Sequence, residues 1–160
     1  MKFRWKELIV SLAISLGTGA LSSILTPNIG EKYELLYQPP FSPPGWVFPV
    51  AWTVLYVLMG LAAFLIYVSE VPCKEKEFKE QTLKLYAVQL ILNLLWPLIF
   101  FRLGAYLPAF IWLIALWFVV FLLVKRFGEI DELAGKLMMP YLLWLTYAAY
   151  LNLAVALESL

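Results

Sequence analysis

Two carboxamides and a set of indole rings are the residues of this sequence best placed to do chemistry. Gln89, Asn93 and Trp96 follow one another at spacings of four and three, with Tyr86 before them and Phe100 after, so on a helix they share one stripe. Phe48, Trp52, Tyr56, Gly60, Ala63 and Tyr67 repeat that spacing, and Pro140, Trp144, Tyr147 or Ala148, Leu151 and Asn152 form a third series. Groups of this kind bind rather than transform. A carboxamide offers two donors and an acceptor but no titrating proton, and an indole offers a flat face and one N–H. The apolar stretches hold no paired carboxylates for acid–base work and no nucleophile beside a base, so most enzyme chemistry is excluded. With no histidine and one cysteine, Cys73, there is no usual zinc or haem-ligating set and no intrachain disulfide.

The elements that must hold these residues follow from charge and hydropathy. Hydrophobic residues make up 63% of the 160 and charged residues 14%, against roughly 45–50% and 25% in soluble domains. That much apolar surface needs a bilayer. Charges divide the chain into uncharged runs at 8–30, 35–69, 85–101, 103–124 and 137–157. Each is long enough for a membrane-crossing helix once a proline-rich segment is set aside from the second, since a span takes about 20 residues. The runs lack the period-two alternation of a membrane barrel. The expectation is one all-α domain over 1–160, a five-transmembrane-helix bundle with helices near 7–26, 46–69, 82–102, 105–126 and 135–157.

Lys2, Arg4 and Lys6 before an apolar run would also suit a signal peptide, but the run is long and lacks a small-x-small cleavage site, so it reads as a retained first span. Ser11, Ser15, Gly19 and Ser23 place small residues at successive fours along it, for packing within the bundle or for a homodimer seam. Ten of the twelve lysines and arginines fall on the side of the N-terminus and the 70–84 and 125–136 connections; only Lys32 and Arg102 fall on the other. By the positive-inside rule the N-terminus is cytoplasmic, with the first loop and the C-terminus outside the cell membrane. The net charge of +1 gives no reason to expect nucleic acid as a partner.

The first loop, 28–45, stands apart. Pro39, Pro40, Pro43 and Pro44 fix φ and withhold donors, so Gln38–Gly45 is expected to be extended. Tyr33, Leu35, Leu36, Tyr37 and Phe41 need something to cover, and a lid over a gap between helices is the natural object. Counting at 1.5 Å per residue, Trp52 lies about 9 Å, Asn93 about 12 Å and Trp144 about 20 Å below the outer surface, too deep for the headgroup belt. They read as mouth, middle and floor of one cleft beneath the loop. Pro97 adds a carbonyl at Asn93 released from its ladder. Trp112 and Trp117, with no polar company in the sequence, read as packing or lipid-facing residues. Flat aromatic walls with neutral hydrogen-bonding groups suit a large, planar, apolar molecule.

Three motifs carry a resemblance. Pro43-Pro44-x-Trp46-Val47 leads to Trp52 and to Leu55-Tyr56-x-x-Met59-Gly60; Gln89-x-x-x-Asn93-x-x-Trp96-Pro97-x-x-Phe100-Phe101 follows; Pro140-Tyr141-Leu142-x-Trp144 runs on to Leu151-Asn152. In order and spacing this is similar to the translocator protein family, the tryptophan-rich sensory proteins also called peripheral benzodiazepine receptors. The resemblance implies a membrane receptor or carrier, sensory or transporting, that binds porphyrins, haem-like pigments, sterols or synthetic ligands in a five-helix pocket under the first loop. It needs no resident cofactor, a protoporphyrin or haem-like molecule being the ligand. The matching positions are Tyr33, Trp52, Gln89, Asn93, Trp96, Trp144, Tyr147 and Ala148. It also implies homodimers and contact with membrane lipid. An alternative is light-dependent degradation of porphyrin through a pocket tryptophan. Lys32 and Gln38 depart from the family's usual loop residues, and no Lys or Arg follows Lys136 to complete the sterol motif of animal members.

Overall fold

A computed structural model describes residues 2–160; Met1 lies outside them. Among the described residues there are six α-helices and no strand. Five are long and apolar enough to cross a membrane: α1 Trp5–Leu25, α3 Val47–Val68, α4 Lys76–Pro97, α5 Tyr106–Ile130 and α6 Glu132–Glu158. The sixth, α2 Ile29–Glu34, sits within the first loop. The fold is an all-α, five-span bundle.

The helices overrun the uncharged runs that announced them. α4 begins at Lys76 and carries Glu77, Lys79, Glu80 and Lys84 before its apolar part. α5 continues through Lys125, Arg126 and Glu129, and a single residue, Asp131, separates it from α6. Lys, Glu and Arg are good helix formers, so charge marks where the apolar environment ends and not where the ladder of backbone bonds ends. Asp131 makes the short joint workable by capping α6, its carboxylate accepting from the Ala134 N–H at 2.9 Å.

Pro97 marks the end of the regular part of α4. Lacking an N–H, it cannot answer the carbonyl four residues back, and the next five residues, Leu98–Arg102, widen into a π turn closed by Leu103 N–H donating to the Leu98 carbonyl at 2.9 Å. The final turn of this span is therefore not α-helical. Gly104, at φ 63°, then reverses the chain into α5.

Two seams are the most extensive in the bundle, with α3 also packed on α6 and α4 on α5. Between α5 and α6 the interior is apolar: Leu113, Leu116, Val120, Leu123 and Phe127 meet Met138, Tyr141 and Leu145, all fully buried. At their basic end a Cβ on Gly135 would come within 2.7 Å of Gly128 Cα, so glycine is required for that approach. Between α1 and α3 the contact is polar and small. Ser11 Oγ donates to the Gly60 carbonyl at 2.7 Å and Ser15 Oγ to the Tyr56 carbonyl at 2.8 Å. A Cβ on Gly60 would lie 2.6 Å from Ser15 Oγ. The small-residue stripe of the first span thus packs inside the bundle at Ser11, Ser15 and Gly19.

Candidate ligand cavity

Above this polar contact α1 and α3 part, and α4 closes the back of the gap. The result is a cavity of about 420 Å³ in the half of the bundle that bears the first loop. Trp52 and Tyr56 come from α3, Asn93 and Trp96 from α4, Gly19 and Ser23 from α1, and Asn28, Ile29 and Gly30 roof it. Leu16, Ala20, Ser23 and Thr53 at its edge are exposed, so it opens sideways between α1 and α3.

Polar satisfaction on its walls is incomplete. Asn93 and Thr26 are each 1% exposed, and among the described residues Asn93 Nδ2 and Thr26 Oγ1 have no hydrogen-bond partner. Buried polar atoms are nearly always paired, so two such atoms lining one cavity call for an acceptor and a donor supplied from outside the chain. Trp96, by contrast, is spoken for. Its Nε1 donates to Asn152 Oδ1 at 3.0 Å, and Asn152 Nδ2 donates to the Tyr106 carbonyl at 2.9 Å, so one carboxamide ties α4, α5 and α6 together. The Trp96 ring is thereby fixed as a wall, stacked 5.3 Å from Phe100.

Behind Phe48 and Trp52 lies a second group of rings. Tyr33 and Phe48 stand 4.4 Å apart, Phe48 and Trp144 5.8 Å, Trp52 and Trp144 6.3 Å, and Trp144 and Tyr147 5.7 Å. Aromatic rings fill the space between α3 and α6 that was expected to be the floor of the cleft. Trp144 does not line the cavity, although its buried Nε1 also has no partner among the described residues. Tyr33 packs under the loop and donates to the Pro43 carbonyl at 2.9 Å. Burial holds its phenol above the ordinary pKa, so it stays a neutral donor.

The loop is latched to α6. Tyr147 donates to the Phe41 carbonyl and Tyr150 to the Pro40 carbonyl at 2.8 Å, while Phe41 sits at φ 66°. Gln38 Nε2 donates to the Tyr33 carbonyl at 2.8 Å and closes the loop on itself. The segment Gln38–Gly45, expected to be extended, instead turns at Pro40–Phe41, where the Ser42 N–H donates to the Pro39 carbonyl at 3.2 Å, and α2 before it is helical, which the loop's proline content did not announce.

Of the residues singled out from the sequence, Trp52, Asn93 and Trp96 share the cavity wall. Tyr33, Trp144 and Tyr147 belong to the neighbouring aromatic group and the latch. Gln89 is fully buried with both ends engaged, its Oε1 accepting from Tyr141 Oη at 2.9 Å and its Nε2 facing Met59 Sδ at 3.7 Å. Ala148 is buried at the α6 interface. Trp112 and Trp117 prove to be polar links, donating to the Leu92 carbonyl and to Thr146 Oγ1, each at 2.8 Å. The wall contributed by α1, with Gly19, Ser23 and Thr26, was missed; its one signal was the small-residue stripe.

The sequence model of the TspO/MBR family matches residues 9–157. The chain belongs to the TspO/MBR family. Relatives include Protein CrtK of Rhodobacter capsulatus, 37% identical over 86% of this chain and 82% of its own length. The tryptophan-rich sensory protein of Cereibacter sphaeroides is 36% identical over 95% of this chain and 90% of its own length. The translocator protein of Ovis aries is 36% identical over 75% and 70% respectively. Membership agrees with the five spans: this TspO/MBR chain is a multi-span membrane protein whose cavity suits small hydrophobic ligands.

Proposed function

We propose that this TspO/MBR protein is a receptor or carrier of the cell membrane that takes porphyrin-like, planar apolar molecules into the cavity between α1, α3 and α4. The observation that carries this reading is the pair of buried, unpartnered polar atoms, Asn93 Nδ2 and Thr26 Oγ1, on walls otherwise made of Trp52, Tyr56, Trp96 and apolar side chains. A flat ring system lies against the indoles, and a carbonyl or carboxyl edge meets Asn93. The volume of about 420 Å³ falls within the roughly 300–1,000 Å³ of small-molecule sites. The lateral opening lets a ligand dissolved in the bilayer reach the cavity without crossing water. The loop stays latched by Tyr147 and Tyr150. The ten-to-two bias of basic residues supports a cytoplasmic N-terminus, with the cavity in the outer half of the membrane.

The test is quenching of tryptophan fluorescence by protoporphyrin in detergent, measured for the wild type, Trp52→Phe and Asn93→Leu. Asn93→Leu is expected to weaken binding about tenfold, the value of one buried hydrogen bond to a ligand. Equal affinity in all three proteins would place the ligand elsewhere. Two indoles on the wall also support the alternative, photochemical loss of the bound pigment through Trp52 or Trp96. That reading requires a saturable, protein-dependent product under light, and bleaching without one rejects it.

A further inference from the structure

The opposite end of the same helices holds a second cavity that the ligand reading leaves unused. It measures about 530 Å³ and runs between α1, α3 and α4 from Lys6 inward to Ile14, walled by Val10, Ala63, Ala87 and Leu90. Eight residues of helix separate its two ends on α1, a depth of about 12 Å. It shares Tyr67 and Leu83 with an adjoining recess of different chemistry, in which Arg4, Lys76 and Lys79 are gathered with Ser69, Glu70 and Glu80. An apolar groove thus continues into a charged one with one cation in excess of its carboxylates.

The basic part is built. Lys79 Nζ donates to the carbonyls of Tyr67 and Ser69 at 2.8 and 2.7 Å, at the end of α3. Arg4 is held by Glu7, with Nη2 to Oε1 at 2.8 Å. Both cations also sit over the Tyr67 ring, Arg4 at 5.6 Å and Lys79 at 6.0 Å, so one aromatic fixes them together at the groove's mouth. Lys6 and Lys76 form no ion pair among the described residues. This end of the molecule bears ten of the twelve basic side chains.

We propose that this bipartite groove binds one anionic phospholipid from the leaflet on the basic side, a chain lying along Val10, Ala63, Ala87 and Leu90 and the phosphate among Lys6, Lys76 and Lys79. The chemistry requires both parts. A neutral apolar molecule leaves Lys6 and Lys76 unanswered, and a soluble anion leaves the groove empty. Clusters of basic residues between membrane helices are recognised lipid headgroup sites, each charge near the surface contributing a similar increment.

The experiment measures thermal stability of the full-length protein in detergent against added phosphatidylglycerol and phosphatidylcholine, with protoporphyrin quenching in parallel. Phosphatidylglycerol is expected to raise the melting temperature saturably and phosphatidylcholine not. Lys76→Gln is expected to weaken the lipid effect about fivefold, the value of one surface charge. Ala87→Trp, which fills the groove, is expected to abolish it while leaving the affinity for protoporphyrin unchanged. Equal stabilisation by the two lipids, or an undiminished lipid effect in Ala87→Trp, overturns the proposal. So does a lipid-independent change of oligomeric mass in Ala87→Trp, which would show a second copy on this face.

Discussion

The α5–α6 seam and the α1–α3 seam solve the same problem by different means. In lipid, burying apolar side chains gives no advantage over leaving them against acyl chains, so helices are held by close fit and by hydrogen bonds. α5 and α6 rely on fit: an uninterrupted row of fully buried aliphatic and aromatic side chains, closed at one end by the Gly128–Gly135 approach. α1 and α3 rely on two serine hydroxyls bonded to carbonyls over a short central stretch. Only Ser15 and Ser22 of α1 are buried. Gaps lie on both sides of that stretch, one toward each membrane surface. The solid seam is a scaffold, and the short one leaves the two gaps that the proposed ligands would occupy.

If this contrast holds, crowding the solid seam has the largest effect. Gly135→Ala puts a methyl group 2.7 Å from Gly128 Cα, where only backbone could yield. A loss of about 3 kcal/mol is expected, the upper end of overpacking costs, read as a fall in thermal stability. Gly60→Ala meets the Ser15 hydroxyl at 2.6 Å and Leu12, groups that can partly move with α1. It is expected to cost about 1–2 kcal/mol and to change protoporphyrin affinity, because α1 also walls the cavity. A stability loss in Gly60→Ala as large as in Gly135→Ala would erase the distinction between the two seams.

Filling the outer gap separates binding from stability. Ala20→Trp, at the exposed edge of the cavity, is expected to lower protoporphyrin affinity at least about tenfold with the melting temperature nearly unchanged, as surface substitutions are within about 0.5 kcal/mol. The smallest expected effect lies in the latch. Removing both loop bonds in Tyr147→Phe/Tyr150→Phe is expected to leave the rate of ligand release in stopped-flow quenching unchanged, because a ligand that enters sideways between α1 and α3 leaves the same way. Release faster by about tenfold or more, the value of the two lost bonds, would mean that ligands leave under the loop instead.

Much of this was legible in the chain. The five spans follow from uncharged runs, because a charge inside hydrocarbon is costly and a backbone there must bond within its own helix. The sequence marked Pro97 as freeing the Asn93 carbonyl within a helix running to 102, but the π turn of Leu98–Arg102 was not announced. The deep positions of Trp52 and Asn93 follow from helix rise alone. The sequence also marked Ser11, Ser15 and Gly19 as a close-packing stripe, since small side chains let backbones approach.

Tertiary structure decided which partners those side chains met. Spacing places Gln89, Asn93 and Trp96 on one face equally, yet Gln89 is consumed by Tyr141, Trp96 by Asn152, and Asn93 alone keeps an unanswered donor. Trp144 was expected to be the deepest of Trp52, Asn93 and Trp144, the floor of the cleft, but Phe48 and Trp52 pack against it on the far side of the cavity wall. A helical repeat fixes the direction of a side chain from its own axis, whereas the neighbour it meets depends on how helices distant in sequence come together.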